Sequence, residues 1–230
     1  MKVLQFITSL GYGGAERLIS DLSPRLKMRG IDITVVSLND NMPLRPNLLS
    51  AEVPVYSLSG LETIYSLSGL MRSVLRLRKL VASIKPDIVH SHLYMSDLLS
   101  RLSVPESCRL LTTLHNFDGW WSESNRIRSV CKTWLDNATG KIRDVRFISV
   151  SNDVKSVAGV TLRIPENRNR VVLNGIALDC FNPKSGDRPP GKRIVQVGRF
   201  YPQKNHHMAR RAFKIVLDNE PAAKLVFIGD

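Results

Sequence analysis

Short apolar runs alternate with longer stretches in which apolar residues return every three or four positions, and the alternation continues along most of the chain. It predicts strands joined by amphipathic helices, hence parallel βαβ units and an α/β fold. Val3 to Ile7 reads as the first strand, and glycines 11, 13 and 14 as the turn after it. A helix from about Ala15 to Arg29 carries Leu18, Ile19, Leu22 and Leu26 on one face and ends at Gly30. Ile31 to Leu38 and Val53 to Ser57 read as the next strands, with a polar, proline-bearing loop between them.

Leu70, Val74, Leu77, Val81 and Ile84 then recur at helical spacing, with Arg72, Arg76 and Lys79 on another face. That pattern fits a surface helix packed on a sheet, or a helix lying on an anionic membrane. Pro86 breaks it, and Asp87 to His90 begins a fourth strand. Arg109 to Leu114 and Val145 to Val150 complete the first sheet, separated by a helical region around Asn125 to Asn137. YSLSGL occurs at 56 to 61 and again at 65 to 70, two copies that do not make a solenoid. Asn182 to Arg193 is rich in proline, glycine and charge and reads as a linker. Beyond it come a strand at Arg193 to Val197, a helix at Asn205 to Leu217 with Met208, Ala212, Phe213 and Val216 inward, and a strand at Lys224 to Ile228. One such βαβ unit is too small to stand as an α/β domain, so the second domain reads as only begun.

Composition narrows the partners. Thirty-three Lys and Arg against twenty Asp and Glu give a formal charge of +13, which favours a phosphate-bearing ligand, an acidic membrane surface or nucleic acid. Cys108, Cys131 and Cys180 are scattered without CxxC spacing, so neither a disulfide framework nor a zinc site is indicated, and a reducing compartment fits. The opening MKVLQFITSL leads into GYGGAE rather than a cleavage site, and no apolar run is long enough to span a bilayer.

Candidate chemistry gathers after the strands. GYGGAE places backbone N–H groups and a helix N-terminus where an anion could sit, or simply makes a tight turn. Its G-x-G-G spacing departs from the dinucleotide fingerprint. His90 and His92 share a strand face; bonds to loop groups are expected of them rather than metal ligation, since no third ligand has an obvious place. His115 ends a strand at the carboxyl edge, where open α/β sheets bind ligands, and is either structural or a hydrogen-bond donor to a sugar or phosphate. In VGRFYPQKNH, Arg199 follows a strand and Lys204 precedes a helix: two solvated charges, or a pair that stabilises a departing diphosphate without a metal.

Taken in order, GGAERLISDLSPRLKMRGIDITVVSL, PDIVHSHLYMSDLLSRL, TTLHN, FISVSNDVKS, VVLNGIALDCFNP and VGRFYPQKNHHMARRAFKIVLDNEPAAKLVFIGD resemble the family 4 retaining glycosyltransferases of GT-B fold. The resemblance implies two Rossmann-like domains: a complete acceptor domain over 1–181, a linker over 182–192, and the first βαβ of a nucleotide-sugar-binding domain over 193–230, truncated there. It implies sugar transfer with retention from a nucleotide-diphosphate sugar to a glycan or lipid-linked acceptor, in cell-surface polysaccharide or lipopolysaccharide synthesis. No cofactor, metal or nucleic acid is implied; the setting is cytoplasmic, with the inner membrane face a candidate surface.

By the same resemblance Arg199 and Lys204 hold the leaving diphosphate, His115 lines the reacting centre, and Gly13, Gly14, Asn174 and Gly175 contact donor phosphate or acceptor. Asn205 and Ala177 stand where the family usually has Gly and often Asp, and the glutamate-rich E-x7-E segment does not occur in these residues. Asn tolerates left-handed geometry, so the loop is expected to survive. A non-catalytic basic membrane- or glycan-binding fragment and a nucleotide-sugar epimerase remain the alternatives.

Overall fold

The computed structural model describes residues 1–58, 66–116, 126–178 and 191–229. The chain divides into two compact units, Met1–Ala177 and Leu178–Asp230. Most of the expected linker, Cys180 and the junction between the YSLSGL copies lie outside the described residues.

In the first unit seven strands form one parallel sheet: β1 Lys2–Ile7, β2 Asp32–Ser37, β3 Val55–Ser57, β4 Ile88–His92, β5 Arg109–Leu114, β6 Val145–Ser149 and β7 Asn169–Val171, in the order 3-2-1-4-5-6-7. Six helices lie between the strands: α1 Gly14–Met28, α2 Arg45–Ser50, α3 Leu67–Ile84, α4 Tyr94–Ser103, α5 Arg126–Ile142 and α6 Asn152–Thr161. Parallel neighbours need crossovers, and the alternating sequence supplies them.

Strands β1, β2 and β4 divide their side chains between two cores. Leu4, Phe6, Val36, Val89, Leu110 and Phe147 pack with Val74, Leu77 and Val81 of α3, Leu99 of α4, and Val154 and Ala158 of α6. Val3, Ile7, Ile33 and Val35 pack with Ala15 and Ile19 of α1 and Leu48 of α2. Burial on both faces is why these strands read as continuous apolar runs.

Four expectations need correction. The loop after β2 contains α2, held by buried Leu44 and Leu48. The sheet does not end at β6: the short, polar β7 adds a seventh strand, with Ser149 Oγ donating to Asn169 Oδ1 at 2.9 Å. In α1 the buried positions are Ala15, Ile19, Ser20 and Ser23, while Leu18 and Leu22 are half-buried; the inward face is rotated toward small residues that let the helix approach the sheet. Gly30, at φ +79°, does terminate that helix, donating to the Lys27 carbonyl at 2.9 Å. Finally, Arg76 is not purely a charge for solvent or lipid, because its Nη1 donates to the Leu58 carbonyl at 2.8 Å.

The second unit holds β8 Arg193–Val197, α7 His206–Asn219 and β9 Lys224–Ile228, a two-stranded parallel sheet with its crossover helix. Phe213 and Val216 are half-buried, whereas Met208 and Ala212, expected inward, are exposed. Two strands offer one helix too little apolar surface to bury its whole stripe, and Val197 itself is 73% exposed.

Candidate active site

In the sheet order the chain leaves β1 toward β2 on one side and reaches β4 on the other, so the crevice outside the carboxyl ends of β1 and β4 is the topological switch point. Ile7 pairs with His92 at that edge. A cavity of about 380 Å³ lies there, walled by Thr8 and Ser9 after β1, Tyr94 and Asp97 of α4, His115 after β5, and Lys132 of α5.

Three histidines crowd the edge. His92 Nε2 lies 2.6 Å from Gln5 Oε1, His92 Nδ1 lies 3.0 Å from His115 Nε2, and His90 Nε2 lies 2.7 Å from Thr113 Oγ1. Gln5 and Thr113 are strand residues, whereas His115 follows β5, so the expected bond to a loop group is met at His92 and not at His90. Packing on adjacent strands fixes this, since Gln5 and His90 are register partners and so are Thr113 and His92. Burial holds all three neutral: the His90 pKa falls to about 3, that of His115 to about 4, and that of His92 well below the ordinary range, the neighbouring imidazoles adding to the effect at His90 and His92. Neutrality sets the tautomers. The Gln5 carbonyl oxygen only accepts, so His92 Nε2 donates and its Nδ1 must accept from His115 Nε2. His115 is left with Nδ1 unprotonated, an acceptor rather than a cation. Among the described residues, no group of three His, Cys, Asp or Glu is placed to hold a metal ion.

The glycine turn differs from an open phosphate cradle. Gly13 is the extended N-cap of α1, and a Cβ there would collide with the Glu16 carboxylate. Ser9 Oγ donates to Glu16 Oε1 at 3.3 Å, so the chain's own acid occupies the positive helix terminus. Around Gly14 the described residues leave open space. Asn174 and Gly175 are exposed, in a stretch without regular structure.

Arg199 and Lys204 belong to the second unit and are exposed there. The Arg199 guanidinium sits 5.6 Å over the Tyr201 ring, and the Lys204 aliphatic chain lies 3.4 Å from where a Gly198 Cβ would be. Gln196 Nε2 donates to the Lys204 carbonyl at 2.7 Å. Asn205 takes the left-handed conformation, φ 49° and ψ 42°, while its side chain accepts from Met208 N at 3.3 Å and caps α7. Both cations thus flank a defined turn between strand and helix.

Sequence reasoning brought out His115 but missed Gln5, Asp97 and Lys132, which stand in or beside the same crevice. The available signal for Asp97 was an acid in the first turn of the helix that follows the HSH strand.

A doubly covered parallel sheet with its crevice at the β1/β4 switch, followed by the start of a second βαβ unit, defines a protein of GT-B, Rossmann-like architecture. The chain belongs to Glycosyltransferase Family 4, whose model matches residues 12–179. It is 28% identical over 174 residues to the UDP-Gal:alpha-D-GlcNAc-diphosphoundecaprenol alpha-1,3-galactosyltransferase of Escherichia coli, covering 70% of this chain and 44% of that protein. The chain thus spans less than half the length of this relative.

Among solved structures it resembles Anabaena HepE in complex with UDP and glucose, with 15% identity and TM-score 0.74, covering 100% of this chain and 61% of that one. It also resembles the UDP-GlcNAc 2-epimerase from Neisseria meningitidis bound to UDP-GlcNAc, with 14% identity and TM-score 0.57, covering 99% of this chain and 65% of that one. Both likenesses concern fold alone.

Proposed function

We propose that the chain supplies the acceptor domain, over 1–181, and the opening βαβ of the donor domain, over 193–230, of a retaining glycosyltransferase, joined by a linker over 182–192. The enzyme moves a sugar from a nucleotide-diphosphate sugar to a lipid-linked glycan in cell-surface polysaccharide or lipopolysaccharide synthesis. The observation that carries this reading is the 28% identity over 174 residues to a galactosyltransferase named for a diphosphoundecaprenol-linked acceptor.

In the reaction the acceptor hydroxyl attacks the anomeric carbon on the face the diphosphate leaves. The bond from sugar to diphosphate breaks, and the hydroxyl proton passes to the departing phosphate oxygen. Neutral His115 serves as a hydrogen-bonding wall of the reacting centre, with Gly14, Asn174 and Gly175 contacting phosphate or acceptor and Gly13 doing so once the ligand displaces the Glu16 carboxylate. Arg199 and Lys204 stabilise the leaving diphosphate.

The test, in a form of the enzyme that carries the whole donor domain, is transfer of labelled galactose from UDP-galactose, and of other sugars from a panel of UDP-sugars, to a short-chain polyprenyl diphosphate N-acetylglucosamine. Product is expected, and no transfer from any donor sinks the reading. In an active form of the enzyme, Arg199→Ala or Lys204→Ala is expected to lower turnover about a hundredfold, the usual loss for one charge-stabilising donor. Wild-type turnover in either variant removes that residue from the role. The epimerase alternative is favoured only by fold likeness; incubation with UDP-GlcNAc alone, followed by NMR, detects any epimer.

The setting we propose is the cytoplasmic side of a membrane, contacted through α3. Met71 and Leu75 are 53% and 51% exposed on that helix beside exposed Arg72 and Lys79, an apolar stripe edged with cations. Among the described residues no helix is long and apolar enough to cross a membrane. Flotation with anionic vesicles at low salt is expected to carry the protein upward, and Arg72→Glu with Lys79→Glu to abolish it. Equal flotation with neutral lipid, or none at all, removes the membrane contact and the lipid-bound setting with it.

A further inference from the structure

Asp97 is a buried acid that its neighbours satisfy only in part: the Ser91 hydroxyl hydrogen-bonds its carboxylate and Arg101 lies within reach of its charge. It sits in the first turn of α4, its residue is 6% exposed, and it lines the cavity at the β1/β4 crevice. Its Oδ1 has no hydrogen-bond partner among the described residues. The obvious partner, Arg101 one turn further along α4, directs its Nη1 instead to the Asp136 carboxylate and carbonyl and to Thr139 Oγ1. A carboxylate oxygen retained only for packing is normally satisfied or replaced, because leaving it buried without a partner is costly. This one borders a largely apolar cavity whose walls also carry Thr8, Ser9, His115 and Asn116, the hydroxyl, imidazole and amide groups with which proteins bind sugars.

We propose that Asp97 is a specificity-determining residue whose carboxylate accepts a hydrogen bond from one hydroxyl of the acceptor sugar in this cavity. The proposal rests on the acceptor-domain reading above. An ionised carboxylate accepts more strongly than a neutral oxygen and fixes the orientation of the hydroxyl it holds. With that hydroxyl held, a neighbouring one on the same ring is presented for transfer, so Asp97 would select the linkage rather than perform the chemistry.

The geometry gives the contact a pH dependence. Burial, opposed by Arg101, raises the Asp97 pKa to about 7. The groups facing it are Arg101 on its own helix, Lys132 and Asp136 from α5, the hydroxyl of Ser91 on β4, and His115 beyond β5. His115, at about 4, stays neutral between pH 6 and 8. His90 and His92 project from β4 on the face opposite Ser91. With a pKa of about 7, the ionised fraction rises about tenfold from pH 6 to pH 8.

Calorimetric titration of the 230-residue chain with short-chain polyprenyl diphosphate N-acetylglucosamine at both pH values tests this without requiring turnover. Binding is expected to tighten about tenfold between pH 6 and pH 8, and Asp97→Asn to bind weakly and equally at both. Within a series of deoxy probes on the wild-type chain, the one lacking the held hydroxyl is expected to lose the pH dependence, a readout that needs no variant. The proposal fails if wild-type binding is flat with pH, if the Asn variant keeps the slope, if every deoxy probe keeps it, or if the probe does not bind. In each case the transfer assay reports separately whether the family activity stands.

Discussion

Acidification is expected to unfold the first unit by about pH 4, and the three crevice histidines are the reason. In the unfolded chain each imidazole titrates near 6.5. In the fold His90 titrates at about 3, His115 at about 4, and His92 well below its ordinary value, all through burial. Folded values lower than unfolded ones mean that the unfolded state takes up more protons. The stabilisation from keeping these rings neutral is therefore complete above about pH 6.5 and is lost as pH falls toward the folded values.

At pH 5 the loss is about 2 kcal/mol each for His90 and His115, with His92 adding in the same direction. Asp97 works the other way. Its folded pKa of about 7 exceeds the unfolded value, so the folded state gains the proton first and recovers about 2 kcal/mol between pH 7 and pH 5. That recovery is almost complete near pH 4, while His90 continues to destabilise, and a domain's total stability is only about 5 to 15 kcal/mol. Urea unfolding of the chain at a series of pH values, followed by circular dichroism, should show the midpoint falling steeply below pH 5. Asp97→Asn should be the more stable form at pH 8 and should lose stability more steeply on acidification. A midpoint unchanged between pH 7 and pH 4 would mean that the histidines are not buried as neutral rings.

The same residues show how far the sequence could be read. The strands were legible because a sheet covered on both faces writes continuous apolar runs, as in Leu4, Phe6 and Val36 on one side and Val3, Ile7 and Val35 on the other. The inner face of α4 was not legible, because the side chains it buries include Ser96, Asp97, Ser100, Arg101 and Ser103. Their apolar periodicity is diluted, and the contacts that Ser96 makes to Thr8 and Arg101 makes to Asp136 and Thr139 join distant segments, which no spacing reveals. Likewise β7 is three residues long and mostly polar, below any periodic signal. At the site, strand-end position was enough to single out His115. Its tautomer depended on Gln5, eighty-seven residues from His92 in sequence and joined to it only by the β1/β4 pairing. Glu16 marks a similar limit: the glycine motif fitted an anion seat or a tight turn alike, and only the fold places the Glu16 carboxylate against Gly13.

Loss of the Arg101 guanidinium is expected to destabilise the first unit by about 3 to 5 kcal/mol, the usual consequence of leaving one member of a buried ion pair alone. Arg101 and Asp136 join α4 to α5 with side chains only 3% and 7% exposed, and the guanidinium also lies 5.9 Å from the Phe147 ring centre. Asp136 borders two cavities: the crevice, and a second of about 460 Å³ between α4, α5 and the segment after α6. The pair is thus a wall, and its value lies less in net stability than in where it fixes α5, the helix that brings Lys132 to the crevice. Two apolar residues of similar volume could hold the helices together as well, since desolvating both charges offsets much of their attraction. Arg101→Met should therefore unfold at clearly lower urea concentration, and Arg101→Met combined with Asp136→Leu should recover most of the loss. If the pair only stabilises, the double variant should bind the acceptor probe as the wild type does. If it positions α5, stability should return while binding stays weakened. Additive destabilisation in the double variant would instead show that each group is held by its other partners, Thr139 and Phe147 among them, and that the pair is not a unit.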